Sequence, residues 1–581
     1  MKDVLFVNAN PKNEFRKIVN GTMILATKLI NAGFDVDILR FYQVESHDKG
    51  DYHKFIDDIT DRIISAEPKC VSFYTLWPFY HILLRIAQRL KSKNPDIIIV
   101  MGGPQSSATA YETMKAMSFV DYVATGEGEN TVVPFFESIL RNNRKNIGNI
   151  PGLYYREDGK VKFCSTPIQF CDLNSIPRWH ESLYDVNEND LDSNDYYMPL
   201  DVGRGCPFEC TFCCTSVFWK KAYRLKTSEK ILEDIRYFNH KFGIKSFMFS
   251  HDAFTTNKEL VLDVCDAIID SGLNITWKCS SRADCITEDL VMKMKAAGMN
   301  CIEMGIETGS PRMQKIINKK LNLDKVKDIV GFLLKNDIKV TLFFMYGFPD
   351  ETEEDLNQTL NMYCELLEMG VRQTVLGYCM FTPSTEITRQ CFDELVFVPE
   401  LKILSREVFG FNEECEMFKN NKDIFPHFYH LNTVVRNNYQ NLFYFGLLYE
   451  KFSNVFKFIR AYYNKNMLKL YKDFYNNNID VFNEETDNIW KNIVKNHSQV
   501  MKNTVKNLDK NIADRFNALI DYSVDYRRVS KSKEDIRIQK KYAFNYIEYQ
   551  LQLPIEQFSD SSSELIIEKK NGKISVQIVS V

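Results

Sequence analysis

The chain has 581 residues and 15 cysteines, yet no cysteine precedes Cys70 and none follows Cys415. That is not the even scatter of a secreted disulfide framework; reduced thiols, with a subset doing chemistry, fit it better. Long hydrophobic runs are missing too. The longest uncharged stretch of the tail, Asn437 to Tyr449, is too short and too polar for a bilayer that needs about 20 apolar residues. The start, MKDVLFVNANP, lacks the charged opening, long apolar centre and cleavage site of a secretory signal, so a cytoplasmic protein without stable membrane insertion is expected. Neither charge sign dominates. The 73 Lys and Arg stand against 77 Asp and Glu, a net −4 with no concentrated basic block, which argues against nucleic-acid partners. What is present, 45% apolar and 26% charged residues, is ordinary globular composition, long enough at about 150 residues per domain for several domains.

From Asp3 to about Leu140, short apolar runs (VLFVNA, FDVDILRF, KCVSFYT, DIIIVMGG, VDYVATGE) alternate with helical patterns. This predicts an α/β domain over residues 1–145, a parallel, doubly wound sheet of Rossmann or flavodoxin type. Its strands end in Asn8 and Asn10, Ser72 and Thr75, Gly102-Gly103-Pro104, and Gly126-Glu127-Gly128-Glu129. Ligands of open α/β sheets bind beyond such ends, so these loops should rim one crevice. Residues 146–197 read as a linker with a hairpin turning at Asp158-Gly159.

Over residues 198–390 six more candidate strands (MPLDVG, KSFMFS, ITWKCS, NCIEMGI, KVTLFFMYG, QTVLGYCM) are separated by helical stretches, which predicts a partial (βα)6 barrel whose strand ends share one mouth. Residues 391–581 read as a mainly helical domain that covers the substrate pocket. There Leu442, Phe445, Tyr449, Phe452, Phe456, Ile459 and Tyr463 form a stripe on one helix, read as core-facing with a membrane-surface or lipid-binding face as the alternative, and a terminal hairpin turns at Asn571-Gly572.

The sharpest feature lies just after the first barrel strand. Cys206, Cys210 and Cys213 are spaced C-x3-C-x2-C, so three thiolates on one short loop can converge on a metal centre. A closed zinc site would want a fourth ligand, usually from a second pair, and no second C-x2-C or H-x3-H pair occurs. Soft thiolates also hold iron–sulfur clusters, and three ligands would leave one iron of a four-iron cluster open. Cys214 follows directly, but adjacent side chains point in different directions, which favours a bystander.

With Phe212 as the aromatic of C-x3-C-x-aromatic-C, this loop and residues 198–385 around it resemble the radical S-adenosylmethionine (SAM) superfamily. The resemblance implies a 4Fe–4S cluster on Cys206, Cys210 and Cys213, with SAM chelated at the open iron and split into methionine and a 5′-deoxyadenosyl radical. It implies that the backbone at Phe212 lies against adenine and that Asp252, Ser280, Arg282 and Glu307 contact SAM, Arg282 as a paired donor to its carboxylate. For each of these four, a structural hydrogen bond at the barrel rim is the alternative reading. Related sequences often have Asp-Asp where this chain has His251-Asp252, so His251 either touches substrate or fills the rim.

The motifs MGGPQSS at 101–107 and DYVATGEGE at 121–129, placed ahead of the cysteine loop, resemble the cobalamin-binding domain of one class of these enzymes. That implies cobalamin contacts from Asn8, Asn10, Ser72, Thr75, Leu76, Trp77, Gly102, Gly103, Pro104, Gly126, Glu127, Gly128 and Glu129, with plain turn glycines as the alternative. The D-x-H-x-x-G string of His-ligated cobalamin is missing after the first strand, which reads NANPKNEF. Asp51-Tyr52-His53 starts such a string, but Ile56 stands where glycine belongs. A His-free lower face is therefore expected, with Trp77 either beside it or a core aromatic. The methylthiotransferase branch carries further cysteines in its first domain, and residues 1–69 have none.

The resemblance as a whole implies a cobalamin-dependent radical SAM C-methyltransferase acting on a peptide or small-molecule natural product. In such an enzyme one SAM methylates cobalamin and a second yields the radical that activates the carbon. It further implies an electron donor such as flavodoxin or ferredoxin. Cyclisation or rearrangement with the same cofactors is the alternative, and a non-catalytic cobalamin or iron–sulfur sensor a more distant one.

Overall fold

A computed structural model describes residues 2–10, 19–42, 51–183, 197–399, 408–483, 493, 495–532, 536–544, 549–550, 552–555, 562–570 and 573–580. They form two units: residues 1–305, 315–339 and 380–432, and residues 306–314, 340–379 and 433–581.

The first unit begins with a sheet made by the alternating pattern read above. Strands β1 (Lys2–Asn10), β2 (Val36–Tyr42), β3 (Pro68–Tyr74), β4 (Ile98–Gly102) and β5 (Tyr122–Ala124) are parallel, in the order β2-β1-β3-β4-β5. The chain reverses direction across the sheet between β1 and β3, the place where such sheets open a crevice. Side chains alternate between faces along β1. Leu5, Val7 and Ala9 enter the core beneath the helices Tyr52–Ser65 and Tyr80–Lys93, while Phe6 meets Phe136 of the helix Val132–Leu140 edge to face.

The hairpin expected in the linker lies instead at this sheet's edge. Strand β6 (Leu153–Glu157) pairs antiparallel with β5 and with β7 (Lys160–Phe163). Its turn uses Asp158 (φ 49°) and Gly159 (φ 73°), the left-handed pair that matches strand twist.

Another departure is a strap at residues 408–428. Expected in the C-terminal helical domain, it packs on the first sheet: Phe409, Phe411, Phe418, Ile424, Phe425 and Phe428 share one core with Leu5, Ile59 and Val71. Tyr52 donates to Glu414 at 2.8 Å, and Arg85 Nε donates to the same carboxylate at 2.7 Å. The Gln105 amide reaches the Ile424 carbonyl at 3.0 Å, and His81 Nε2 lies 2.8 Å from the Phe409 carbonyl.

All six barrel strands are present: β8 (Met198–Asp201), then after the short β9 (Gly203–Arg204) and β10 (Arg224–Leu225), β11 (Ser246–Ser250), β12 (Thr276–Ser281), β13 (Met299–Glu307), β14 (Lys339–Tyr346) and β15 (Gln373–Tyr378). β8, β11, β12 and the start of β13 are parallel neighbours in the first unit; β14 and β15 pair in parallel in the second. Thr227, Asn257, Asn322 and Thr352 cap the helices that follow these strands by accepting from first-turn N–H groups, as short polar side chains do at helix starts.

In the second unit the aromatic stripe is buried as expected, but on two helices, Leu442–Lys451 and Ser453–Tyr462, which break at Phe452. Tyr449 and Phe456 stack across the break at 4.4 Å. Ahead of the terminal hairpin, where the mainly helical reading of residues 391–581 placed no strand, Ile536–Tyr542 is a strand that carries an apolar-polar IRI alternation. It pairs with Ser563–Lys570, which pairs in turn with Lys573–Ser580. The Asn571-Gly572 turn and most of NANPKNEF lie outside the described residues.

Candidate active site

The cysteine loop leaves β9 through Gly205, at φ +90°, where a Cβ would sit 2.0 Å from the Ala222 carbonyl oxygen. Only glycine fits there. Its N–H donates to Asp252 at 2.8 Å, which ties the loop's first turn to the end of β11. At the loop's centre the Thr211 N–H bonds the Ile317 carbonyl at 3.0 Å, and the Thr211 carbonyl takes the Ile387 N–H at 2.9 Å. The backbone is thus fixed immediately after Cys210.

Cys206, Cys210 and Cys213 are half-buried, while Cys214 is exposed. Among the described residues, the one His/Cys/Asp/Glu set whose atoms all lie within 4.8 Å of one another is Glu127, Glu129 and Cys171. Three thiols on one short loop offer one thiolate to each of three irons of a cluster. Burial first, and then Cys213 and Cys210 beside it, push the Cys206 thiol up to about 11. Unliganded thiolates are costly here, and a bound metal cluster reverses that cost.

Glu127 and Glu129 are not free ligands. Arg204 bonds Glu127 at 3.0 Å, Glu129 at 2.7 Å and Asp201 at 3.0 Å, and Arg224 also pairs with Glu127. Burial raises the Glu127 carboxyl, but Arg224, the Cys171 N–H and Arg204 hold it below the usual carboxylate range. Two carboxylates expected to meet cobalamin are thus neutralised by arginines that flank the cysteine loop.

The glycines divide by role. A Cβ on Gly103, at φ +106°, would lie 2.9 Å from the Thr75 carbonyl oxygen, so that glycine lets the ends of β3 and β4 touch. Thr75 itself is fully buried and bonds the Gly102 carbonyl at 3.0 Å and Ser106 at 2.9 Å. Gly102, by contrast, has only the Ala124 carbonyl near its Cβ direction, at 3.9 Å, and opens onto a cavity.

That cavity, about 570 Å³, lies wholly within the first unit. Ser72, Gly102, Gly103, Pro104 and residues 126–129 line it from the sheet; Asp201, Arg204, Ser250, His251, Asp252 and Ser280 line it from the barrel strands. Asp252 is reachable by solvent there but ringed by protein, which pushes its carboxyl above the usual range. His251 accepts the Ala253 N–H on Nδ1 at 3.0 Å, so the neutral ring carries its proton on Nε2. Burial lowers its pKa to about 4.

Other expected residues lie off this cavity. Asn8 is buried and accepts from Thr22 at 3.1 Å; Asn10 ends β1, and its side chain is outside the described residues. Leu76 and Trp77 are half-buried, and Trp77 meets the His427 ring edge to face at 5.5 Å. Phe212 stays on the cysteine loop, half-buried, with the Lys319 ammonium 6.0 Å from its ring. Arg282 turns to that loop, and Glu307, at φ 70°, belongs to the second unit. Asp51 proves to be the N-cap of Tyr52–Ser65 and His53 is exposed, so that string is a helix start. Sequence reading missed Trp219 and Thr22 on the cavity wall, and it placed Arg204 at a strand end of the barrel mouth without its two glutamate partners.

A model of the radical SAM superfamily matches residues 200–363, and a model of the B12 binding domain matches residues 12–135. An uncharacterized methyltransferase of Pyrococcus horikoshii is 29% identical over 328 residues, 56% of this chain and 69% of that protein. The anaerobic magnesium-protoporphyrin IX monomethyl ester cyclase of Rubrivivax gelatinosus is 24% identical over 318 residues, 53% of this chain and 56% of its own length. Among solved structures, the cobalamin-dependent S-adenosylmethionine radical enzyme OxsB, with aqua-cobalamin and S-adenosylmethionine bound, superposes with a TM-score of 0.52 at 14% identity. That match covers 90% of this chain and 79% of OxsB. Among the described residues no helix is long and apolar enough to cross a membrane.

Proposed function

Because this chain belongs to the radical SAM superfamily and carries a B12 binding domain ahead of its radical SAM domain, we propose that it is a cobalamin-dependent C-methyltransferase. Its substrate would be a peptide or small molecule with an unactivated carbon. One observation carries the reading: the glycine loops of the first sheet and the ends of β8, β9, β11 and β12 line a single cavity. The cofactors of these two domains are a 4Fe–4S cluster, SAM and cobalamin; when bound, they supply hydrogen abstraction from carbon and a transferable methyl group.

The chain's own residues hold and orient these groups. Cys206, Cys210 and Cys213 would hold the cluster, with Gly205 and Asp252 fixing the approach of the first thiol. Ser280 and Asp252 offer polar contacts to SAM from the cavity wall, and Ser72, residues 102–104, Gly126 and Gly128 offer close backbone to cobalamin. His251 presents an uncharged ring at neutral pH, so it supports hydrogen bonding there without adding charge. Electrons would come from a small low-potential donor protein.

The name of the Pyrococcus relative favours methyl transfer, and that of the Rubrivivax relative favours cyclisation as the second reading. Anaerobic reconstitution with iron, sulfide and cobalamin, then incubation with reductant and SAM, separates them. S-adenosylhomocysteine together with 5′-deoxyadenosine is expected. 5′-Deoxyadenosine alone favours cyclisation or rearrangement, and a protein that never cleaves SAM overturns both.

A further inference from the structure

The side chain of Arg282, at the end of β12, is almost fully buried, and its donors are committed to the chain. Nε and Nη2 pair with the Asp284 carboxylate at 3.0 and 2.8 Å, and Nη2 also reaches the Lys319 carbonyl at 2.7 Å. Nη1 points at the Cys210 sulfur from 3.5 Å, and the guanidinium lies 3.8 Å from the centre of the Phe208 ring. The two-donor edge that a SAM carboxylate would need is therefore already filled by Asp284. The remaining nitrogen faces a sulfur.

We propose that Arg282 is a positioning residue of the cluster: it fixes the Cys210 arm of the loop and sets the cluster's reduction potential through an N–H···S bond. The proposal rests on the reading that Cys206, Cys210 and Cys213 hold a 4Fe–4S cluster. Reduction by an external low-potential donor adds one electron and hence one negative charge to the cluster. A cation and an N–H donor at a ligating sulfur stabilise that added charge, since hydrogen bonds to sulfur and net local charge tune such potentials. Stacking on Phe208, two residues before Cys210, holds the planar fork in place. Asp284 offsets much of the distant charge but accepts at the opposite edge, so it orients Nη1 toward the sulfur.

The test is a redox titration of the full-length, anaerobically reconstituted protein without SAM, reduced with dithionite and followed by the electron paramagnetic resonance of the reduced cluster. Arg282→Gln should load iron and shift the midpoint to more negative potential. Arg282→Lys, which keeps the charge but loses the fork, should shift it less. A role on the SAM carboxylate would instead weaken SAM binding and leave the SAM-free midpoint where it was, and that result overturns the proposal. If both variants lose the cluster while circular dichroism and thermal unfolding match wild type, the clamp on Cys210 is supported. If both lose the fold, Arg282 is a framework residue and the proposal fails. Absence of any cluster in the wild type would sink the cluster reading itself, separately from the role of Arg282.

Discussion

Arg204 donates to Glu129 at 2.7 Å, so the strand that delivers Cys206 is tied to the loop after β5 through a side chain that is 10% exposed meeting one that is 5% exposed. Removing one member of a buried ion network leaves the others uncompensated, which costs about 3–5 kcal/mol. Arg204→Met is therefore expected to lower the free energy of unfolding by about 3 kcal/mol or more, read from denaturant midpoints. A loss under about 1 kcal/mol would mean that Arg224 alone neutralises Glu127 and Glu129.

Single alanine substitutions of Cys206, Cys210 and Cys213 should each abolish iron loading and the brown cluster absorbance. Cys214→Ala, at the exposed neighbour, should load as wild type does. Iron and sulfide analysis after reconstitution checks this, and a Cys214 variant without cluster would make that thiol a ligand.

Three buried histidines make stability fall on the acid side. Burial lowers His81 and His251 to about 4 and His427 to about 3, whereas an unfolded chain titrates near 6.5. Below pH 6.5 the unfolded state takes up protons that the native state refuses, so stability drops as pH falls from there toward 4 and is unaffected by these groups above it. Neither ring nitrogen of His427 has a hydrogen-bond partner among the described residues. His427→Phe should therefore keep the pH 7 melting temperature and flatten the fall between pH 6.5 and 4. Equal slopes for the two proteins would show that His427 already takes up a proton in the native state.

The strap should come away when its one buried carboxylate is cut back. Glu414→Ala leaves Arg85 and Tyr52 without their acceptor, for an expected cost of about 2–4 kcal/mol. Limited proteolysis should then cut first within residues 408–432. A variant that resists protease as wild type does would assign the strap's attachment to its phenylalanines alone.

Much of this was legible in the residues. Period-two apolar runs bounded by glycine and polar clusters located the parallel strands of both sheets, since the run that fills a buried strand is also the one water excludes. The cysteine spacing located the loop. Contacts between distant segments were not legible. Nothing local in Phe409 or Phe425 says which core they fill, and Arg282, next to a serine-rich strand end, looks the same whether it faces a carboxylate or a thiolate. Glu127 and Glu129 resembled ligand contacts because their partner Arg204 lies 77 residues from Glu127 in the chain. The break at Phe452 has no glycine or proline to announce it.

The strap also sets a schedule for biosynthesis. The helix Tyr80–Lys93 and its neighbours leave the ribosome with their outer apolar face bare, because Phe409, Phe418 and Phe425 that cover it are translated some three hundred residues later. At about 5–20 residues per second that is roughly 15–60 s of exposure. The nascent N-terminal half is a client for holding chaperones throughout that interval, and a stop codon placed before residue 408 would yield an aggregating fragment rather than a free-standing domain.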